Sequence, residues 1–183
     1  GTSLIGNSIG ENDKKKILYY FSNIIYFGIF ISVLLTLFGL FFSETVFLLM
    51  GSSNKVTSLG LEYTNIIFSG TILFILVVAF NSLLHAEGDT KTYRNALILS
   101  FFLNIILNPI LIFGFLFIPA FGVKGIGIAT IISQILSFLI IFYKVIKNKR
   151  IREMSREYLS IKFVYIKDIF FQSMPISLAI CGY

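Results

Sequence analysis

Residues 95–117 read NALILSFFLNIILNPILIFGFLF, an uncharged run with the length and composition of a helix that crosses a bilayer. The hydrocarbon core takes about 20 apolar residues in helical form. Within the run Ser100, Asn104 and Asn108 recur at every fourth position, and Pro109 follows at once. Residues four apart share one helix face. An unpaired amide in hydrocarbon costs roughly 4 to 8 kcal/mol on a cyclohexane scale, so the polar stripe is expected to face other helices or a wet cavity. Pro109 has no N–H and frees the carbonyl of Ile105 one turn earlier.

The rest of the chain has the same texture. It is 56% apolar and 16% aromatic, with a mean hydropathy of +0.89, far from a water-soluble domain of this length. Charge falls in blocks and leaves four long uncharged stretches, Ile17–Ser43, Tyr63–Leu84, Asn95–Val123 and Gly125–Tyr143. A lipid-embedded backbone must satisfy its own hydrogen bonds, and barrel strands would show short segments of alternating polarity that these stretches lack. The expected class is therefore an all-α integral membrane protein with four complete spans. A fifth apolar run begins near Ile169, and the first residues look like the tail of an earlier helix, so the chain is expected to be a fragment.

Basic residues sit in three connections: Lys14 to Lys16, then Lys91 and Arg94, then a long segment from Lys144 to Lys167. The alternate connections carry only Lys55 and Lys124. By the positive-inside rule the basic connections, Ser155 among them, are expected in the cytoplasm and Ser52 outside. The segment 144–168 can be an amphipathic helix on an anionic leaflet or a basic loop that joins two halves. Topology accounts for the net charge of +6, so no nucleic-acid partner is expected.

Several chemistries lack their residues. No G-x-x-x-x-G-K-[ST] cradle for ATP occurs, and Gly125-x-Gly127 lacks the remainder of a dinucleotide fingerprint. His85, Glu87 and Asp89 form H-x-E-x-D beside Gly88, in a short connection that reads as a turn more readily than as a metal or acid–base cluster. Cys181 is the one cysteine, so the sequence holds no disulfide framework. No cofactor and no catalytic residue are expected.

Small residues mark the last full span. Gly125, Ala129 and Ser133 recur every fourth residue and would let a neighbouring backbone approach, with Thr130 and Gln134 on the adjoining stripe. Thr130, Ser133, Gln134 and Ser137 can serve as interhelical hydrogen-bonding groups. Phe27, Phe30, Phe38, Phe41 and Phe42 are expected to face lipid or fill the core.

Three motifs carry a family resemblance: LHAEGDTKT at 84–92, NIILNPILIFG at 104–114 and GVKGIGIATIISQ at 122–134. In this order and with this topology they resemble the multidrug and toxin extrusion (MATE) family of cation-coupled antiporters. SLIGNSIGENDKKK at 3–16 is similar to the family's loop after its second helix, and Gln172 to Pro175 to the opening of its seventh. The resemblance implies two six-helix lobes in a twelve-helix protein. Residues 1–143 would belong to the first lobe and hold helices three to six, 144–168 would be the cytoplasmic link, and 169–183 would start the next lobe.

The resemblance further implies a multi-pass protein of the cell membrane, monomeric at full length, that exports organic and often cationic small molecules in exchange for Na+ or H+. The alternatives are a lipid-linked oligosaccharide flippase of the same superfamily and, from another class, a membrane-embedded lipid transferase. It maps Asn104, Asn108 and Thr130 onto the positions that surround a cation in sodium-binding relatives, together with an Asp of the family's first helix. Many relatives carry Asp where this chain has Asn108, and no span here has an acid at its centre. Substrate-binding residues are not assigned.

Overall fold

The computed structural model describes residues 1–152 and 156–181, of which Arg156 and residues 174–181 are described in backbone only. Ser155 and the side chains of Pro175 and Cys181 lie outside the described residues. In order come α1 (Thr2–Gly10), α2 (Lys14–Leu49), α3 (Asn54–Ser69), α4 (Thr71–Ala86), α5 (Thr90–Phe113), α6 (Val123–Ile146), α7 (Lys149–Arg152), a 3-10 turn (Arg156–Leu159) and α8 (Phe163–Cys181). Four helical stretches are long and apolar enough to cross a membrane: Lys14–Leu49, Asn54–Ala86, Thr90–Phe113 and Val123–Ile146. Each overlaps one of the four uncharged runs, and the third ends at Phe113, short of the end of the Asn95–Val123 run, whose residues 114–122 form the turn before α6.

Small side chains point inward and large ones outward. Along α2 the buried stripe beyond Ile24 is Gly28, Ser32, Gly39 and Ser43. Phe30, Phe38, Phe41 and Phe42 of the same helix lie on the outside, 50 to 75% exposed. In α6 the buried stripe begins Gly125, Gly127, Ala129, Ser133 and Ser137. Lipid tails solvate apolar side chains as well as other helices do, so association rests on close van der Waals approach, which small residues permit.

The contacts show how close. A Cβ at Gly39 would lie 2.1 Å from the ring of Phe68, and one at Gly60 would lie 2.4 Å from Phe47, so α2 and α3 lock reciprocally, each ring over the other helix's glycine. A Cβ at Gly125 would stand 2.6 Å from the main-chain carbon and oxygen of Leu111, which makes the α5–α6 pair a contact of backbones. Larger side chains fill the core at the other end, where Ile5, Ile17, Phe21, Leu83, Leu84, Ile141 and Ile169 are buried together.

The second span departs from the single uninterrupted run that its sequence suggests. It starts at Asn54, ahead of the uncharged stretch, and breaks at Gly70 into α3 and α4. Ile131 of α6 presses on that point, with its Cδ1 2.0 Å from where a Cβ would be. The hydroxyl of Thr36 in α2 donates to the Phe68 carbonyl at 2.8 Å, beside the break. Inserted partners of this kind are a recognised cause of helix kinks.

Between α5 and α6 a tight turn closes with reciprocal backbone bonds between Phe115 and Ile118, of 3.0 and 2.9 Å. Gly114 and Gly122, both at positive φ, frame it.

The packing predicts opposite outcomes for two glycines. In the full-length protein Gly125→Val is expected to cost about 1 to 3 kcal/mol by overpacking, whereas Gly6→Ala, with nothing within 4 Å of the new Cβ, is expected to be neutral or slightly stabilising. Thermal unfolding in detergent, followed by size-exclusion fluorescence, checks both.

Candidate functional site

The polar stripe of α5 divides into two parts. At one end Ser100 and Ser137 are buried with their hydroxyls 2.6 Å apart, and Ser137 also donates to the Ala96 carbonyl at 3.4 Å. This is an interhelical tie between α5 and α6, saturated by its own members. At the other end the side-chain NH2 of Asn108 donates to the amide oxygen of Asn104 at 2.8 Å. That bond leaves the amide oxygen of Asn108 buried without a donor among the described residues. Thr130 donates to the Ile126 carbonyl of its own helix at 2.9 Å. The structure thus joins Asn104 to Asn108, while the hydrogen bond of Thr130 stays within α6.

A buried amide oxygen without a donor carries a desolvation cost of about 1 to 3 kcal/mol unless something meets it. Amide and hydroxyl oxygens are hard neutral donors suited to an alkali or alkaline-earth cation. Pro109 lies inside α5 and cannot bond back to Ile105, which adds a carbonyl to the neighbourhood. Chemically the Asn104–Asn108 pair is a neutral oxygen-rich spot short of a donor or a cation.

A concavity of about 480 Å3 opens elsewhere, between α1, α2, α4 and α8. Its wall is mostly apolar, with Phe27, Ile31, Phe74 and Val78, and Asn81 reaches it. The amide oxygen of Asn81 is buried and also lacks a hydrogen-bond donor among the described residues. No group of three or more metal-capable His, Cys, Asp or Glu side chains occurs among those residues.

The sequence model of the MatE family matches residues 1–110. The chain belongs to the MatE family. It is 31% identical over 146 residues to the probable multidrug resistance protein YoeA of Bacillus subtilis, covering 80% of this chain and 32% of the relative. It is 30% identical over 148 residues to the probable multidrug resistance protein NorM of Thermotoga maritima, covering 81% and 32%. The chain therefore spans about a third of the length of these relatives. Among solved structures, the inward-facing conformation of a multidrug resistance MATE family transporter superimposes with a TM-score of 0.87 at 26% identity, over 97% of this chain and 40% of that one. The fold is thus that of part of one lobe of a MatE transporter.

The motif at 84–92 acts as a helix junction. Gly88 takes a φ of +86 after α4 ends, a backbone conformation that favours glycine. Asp89 is the N-cap of α5, accepting from the Thr92 N–H at 3.0 Å and from its hydroxyl at 2.7 Å. Glu87 accepts from the Arg150 guanidinium at 3.0 Å and from the Asn148 side chain, and so ties the junction to the end of α6 and to α7. Glu87 and Asp89 lie in a turn, as their spacing beside Gly88 suggests, whereas His85 belongs to the last turn of α4.

Sequence reasoning passed over one cluster. Asn23 of α2 is fully buried and grips the segment that follows α7: its amide oxygen accepts from the Lys162 N–H at 2.9 Å, and its NH2 donates to the carbonyls of Tyr19 and Ser160. The signal was present as an amide within a span near Tyr19, Tyr20 and Tyr26. Nothing in that spacing names a partner more than 130 residues away.

Burial pushes the Asp89 carboxyl up, but the Thr92 hydrogen bonds and the Lys144 ammonium at 3.6 Å outweigh it and hold the group below the ordinary carboxylate range. A folded-state pKa that is depressed gives stability that is complete above the unfolded value of about 4 and is lost as pH falls through the folded value. Asp89→Ala in the complete protein is expected to remove a cap worth about 0.5 to 2 kcal/mol. It should also flatten the acid side of the stability profile, and lower abundance more than transport rate per molecule. Thermal shift against pH, with transport normalised to expression, reads both effects; an abundant but transport-dead variant would contradict the capping role.

Proposed function

We propose that this chain is part of a secondary active antiporter that exports organic, often cationic, compounds in exchange for Na+ or H+. Membership of the MatE family and the names of its multidrug-resistance relatives support export. The observation that carries the coupling step is the buried, donor-free amide oxygen of Asn108 beside Asn104. In this reading Asn104, Asn108 and Thr130 supply neutral oxygens to the cation. Neutral ligands alone hold a monovalent cation weakly, so the charge comes from the Asp that the family carries on its first helix. The apolar cleft with Asn81 accommodates the body of an organic cation.

The segment 144–168 is the cytoplasmic connection between lobes, and the part of α8 from Ile169 onward starts the second. The cell membrane is the site of action. A lipid transferase would need an acid or histidine cluster at a membrane face, and Glu87 and Asp89 are committed to ion pairs and a cap.

Two experiments test the reading in the full-length protein. Asn104→Leu combined with Thr130→Val is expected to lower cation-dependent export about tenfold at equal expression, the factor carried by about 1.4 kcal/mol of lost ligation. Asn108→Asp is expected to keep export and make it steeper with pH, since it adds a titratable group. Undiminished sodium dependence and rate in the double variant would place the ion elsewhere. For topology, a cysteine at Ser52 is expected to react with an impermeant thiol reagent on intact cells, and one at Lys149 only after permeabilisation. The reverse pattern would invert the lobe.

A further inference from the structure

The connection that follows α7 is fastened to one end of α2 along its whole described length. Tyr19 donates to Glu157 at 3.4 Å, Tyr26 to the Leu159 carbonyl at 2.8 Å and Tyr20 to Asp168 at 2.9 Å. Between these bonds Asn23 holds the Lys162 N–H and the Ser160 carbonyl. The ring of Tyr19 is enclosed by Tyr158 edge-on at 5.1 Å, Tyr165 stacked at 5.2 Å and the Lys162 ammonium 3.8 Å from its centroid. Beyond them Ile169, only 4% exposed, is part of the same core as Ile5, Ile17 and Phe21.

Segments that open and close during function come from the least stable parts of a fold, with few buried contacts and solvated backbone bonds. Most side chains of residues 157–168 are exposed, but the segment is held at two buried points, the Asn23 amide and Ile169. Releasing it would strand the fully buried amide of Asn23, together with the N–H of Lys162 that it accepts, and would expose the apolar side of Ile169.

We propose that residues 157–169 form a permanent clasp on α2, with Asn23 as its positioning residue, so that the inter-lobe connection travels with the first lobe throughout the transport cycle. The inference rests on the antiporter reading. On that reading, movement of the second lobe takes place on the C-terminal side of Ile169.

Limited trypsin digestion of the purified full-length protein in detergent, with cleavage after Lys162 followed by mass spectrometry, tests this without requiring transport. For the wild type the cleavage rate is expected to be the same with and without sodium, at acid and neutral pH corrected for trypsin activity, and with and without an organic cation such as ethidium. A rate that rises under any of these conditions means that the clasp opens in the cycle, and overturns the proposal. Tyr26→Phe keeps the ring and removes one hydrogen bond, and is expected to raise cleavage about fivefold, the factor of a net hydrogen bond of about 1 kcal/mol. Asn23→Leu is expected to raise it further. Cleavage of Tyr26→Phe equal to wild type would also overturn the clasp. In reconstituted vesicles Tyr26→Phe is expected to lower the maximal export rate and leave the half-saturating substrate concentration unchanged. If the wild type exports no organic cation, the antiporter reading fails by itself, and the digestion still decides whether the clasp holds.

Discussion

Backbone approach through small residues is the constraint on which this structure depends. In water a helix bundle is driven together by burying large apolar side chains, but in lipid those side chains lose nothing by staying outside. The chain follows that rule residue by residue. Phe41 of α2 is 75% exposed, while Gly39 beside it admits the ring of Phe68. Gly125 lets the backbones of α5 and α6 touch, and so sets the distance between the helices that carry Asn104, Asn108 and Thr130. The geometry of the candidate cation site is therefore inherited from a glycine contact made by none of its members.

Polar groups inside the spans have met the same environment in two ways. Most hydroxyls return to a carbonyl of their own helix, as Ser22, Ser133 and Thr130 do. Ser100 and Ser137 tie two helices, and Asn23 is satisfied at both ends of its amide. The donors of these groups are spent, while a hydroxyl oxygen such as that of Thr130 keeps its lone pairs. Asn108 differs because its amide is used on one side only, and Asn81 and Gln172 each leave a buried amide oxygen without a donor among the described residues. An amide oxygen left unmet in such surroundings is costly.

Much of this was legible in the sequence because it is local. Charge blocks delimit the four spans, and H-x-E-x-D beside Gly88 marked the turn whose Asp89 caps α5. The inward stripe of α6 follows from the spacing of Gly125, Ala129 and Ser133. What the sequence concealed depends on partners distant along the chain. The break at Gly70 needs Ile131 pressing from α6 and Thr36 bonding from α2, and no local breaker marks it apart from the glycine itself. The grip of Asn23 on residues 160 and 162 is of the same kind. A lone amide in an apolar run shows that a partner must exist, never which one.

The charge distribution gives the functional reading its last step. The described acids of the spanning helices lie toward their ends, with Glu62 paired to Lys124 at 3.6 Å, and the middle of α5 and α6 is neutral. A neutral oxygen cluster in a low-dielectric setting selects weakly between a cation and an ordinary donor, because hydration of the ion competes with every ligand. One carboxylate brought against it changes the balance. In the proposed reading it would supply the Coulomb attraction and could itself be neutralised by a proton, so that sodium and protons would compete for a single charge. A site divided between neutral oxygens on α5 and α6 and an acid on another helix is complete only when those helices meet. On the proposed antiporter reading, cation binding would thereby depend on the conformation of the lobe, as coupling requires.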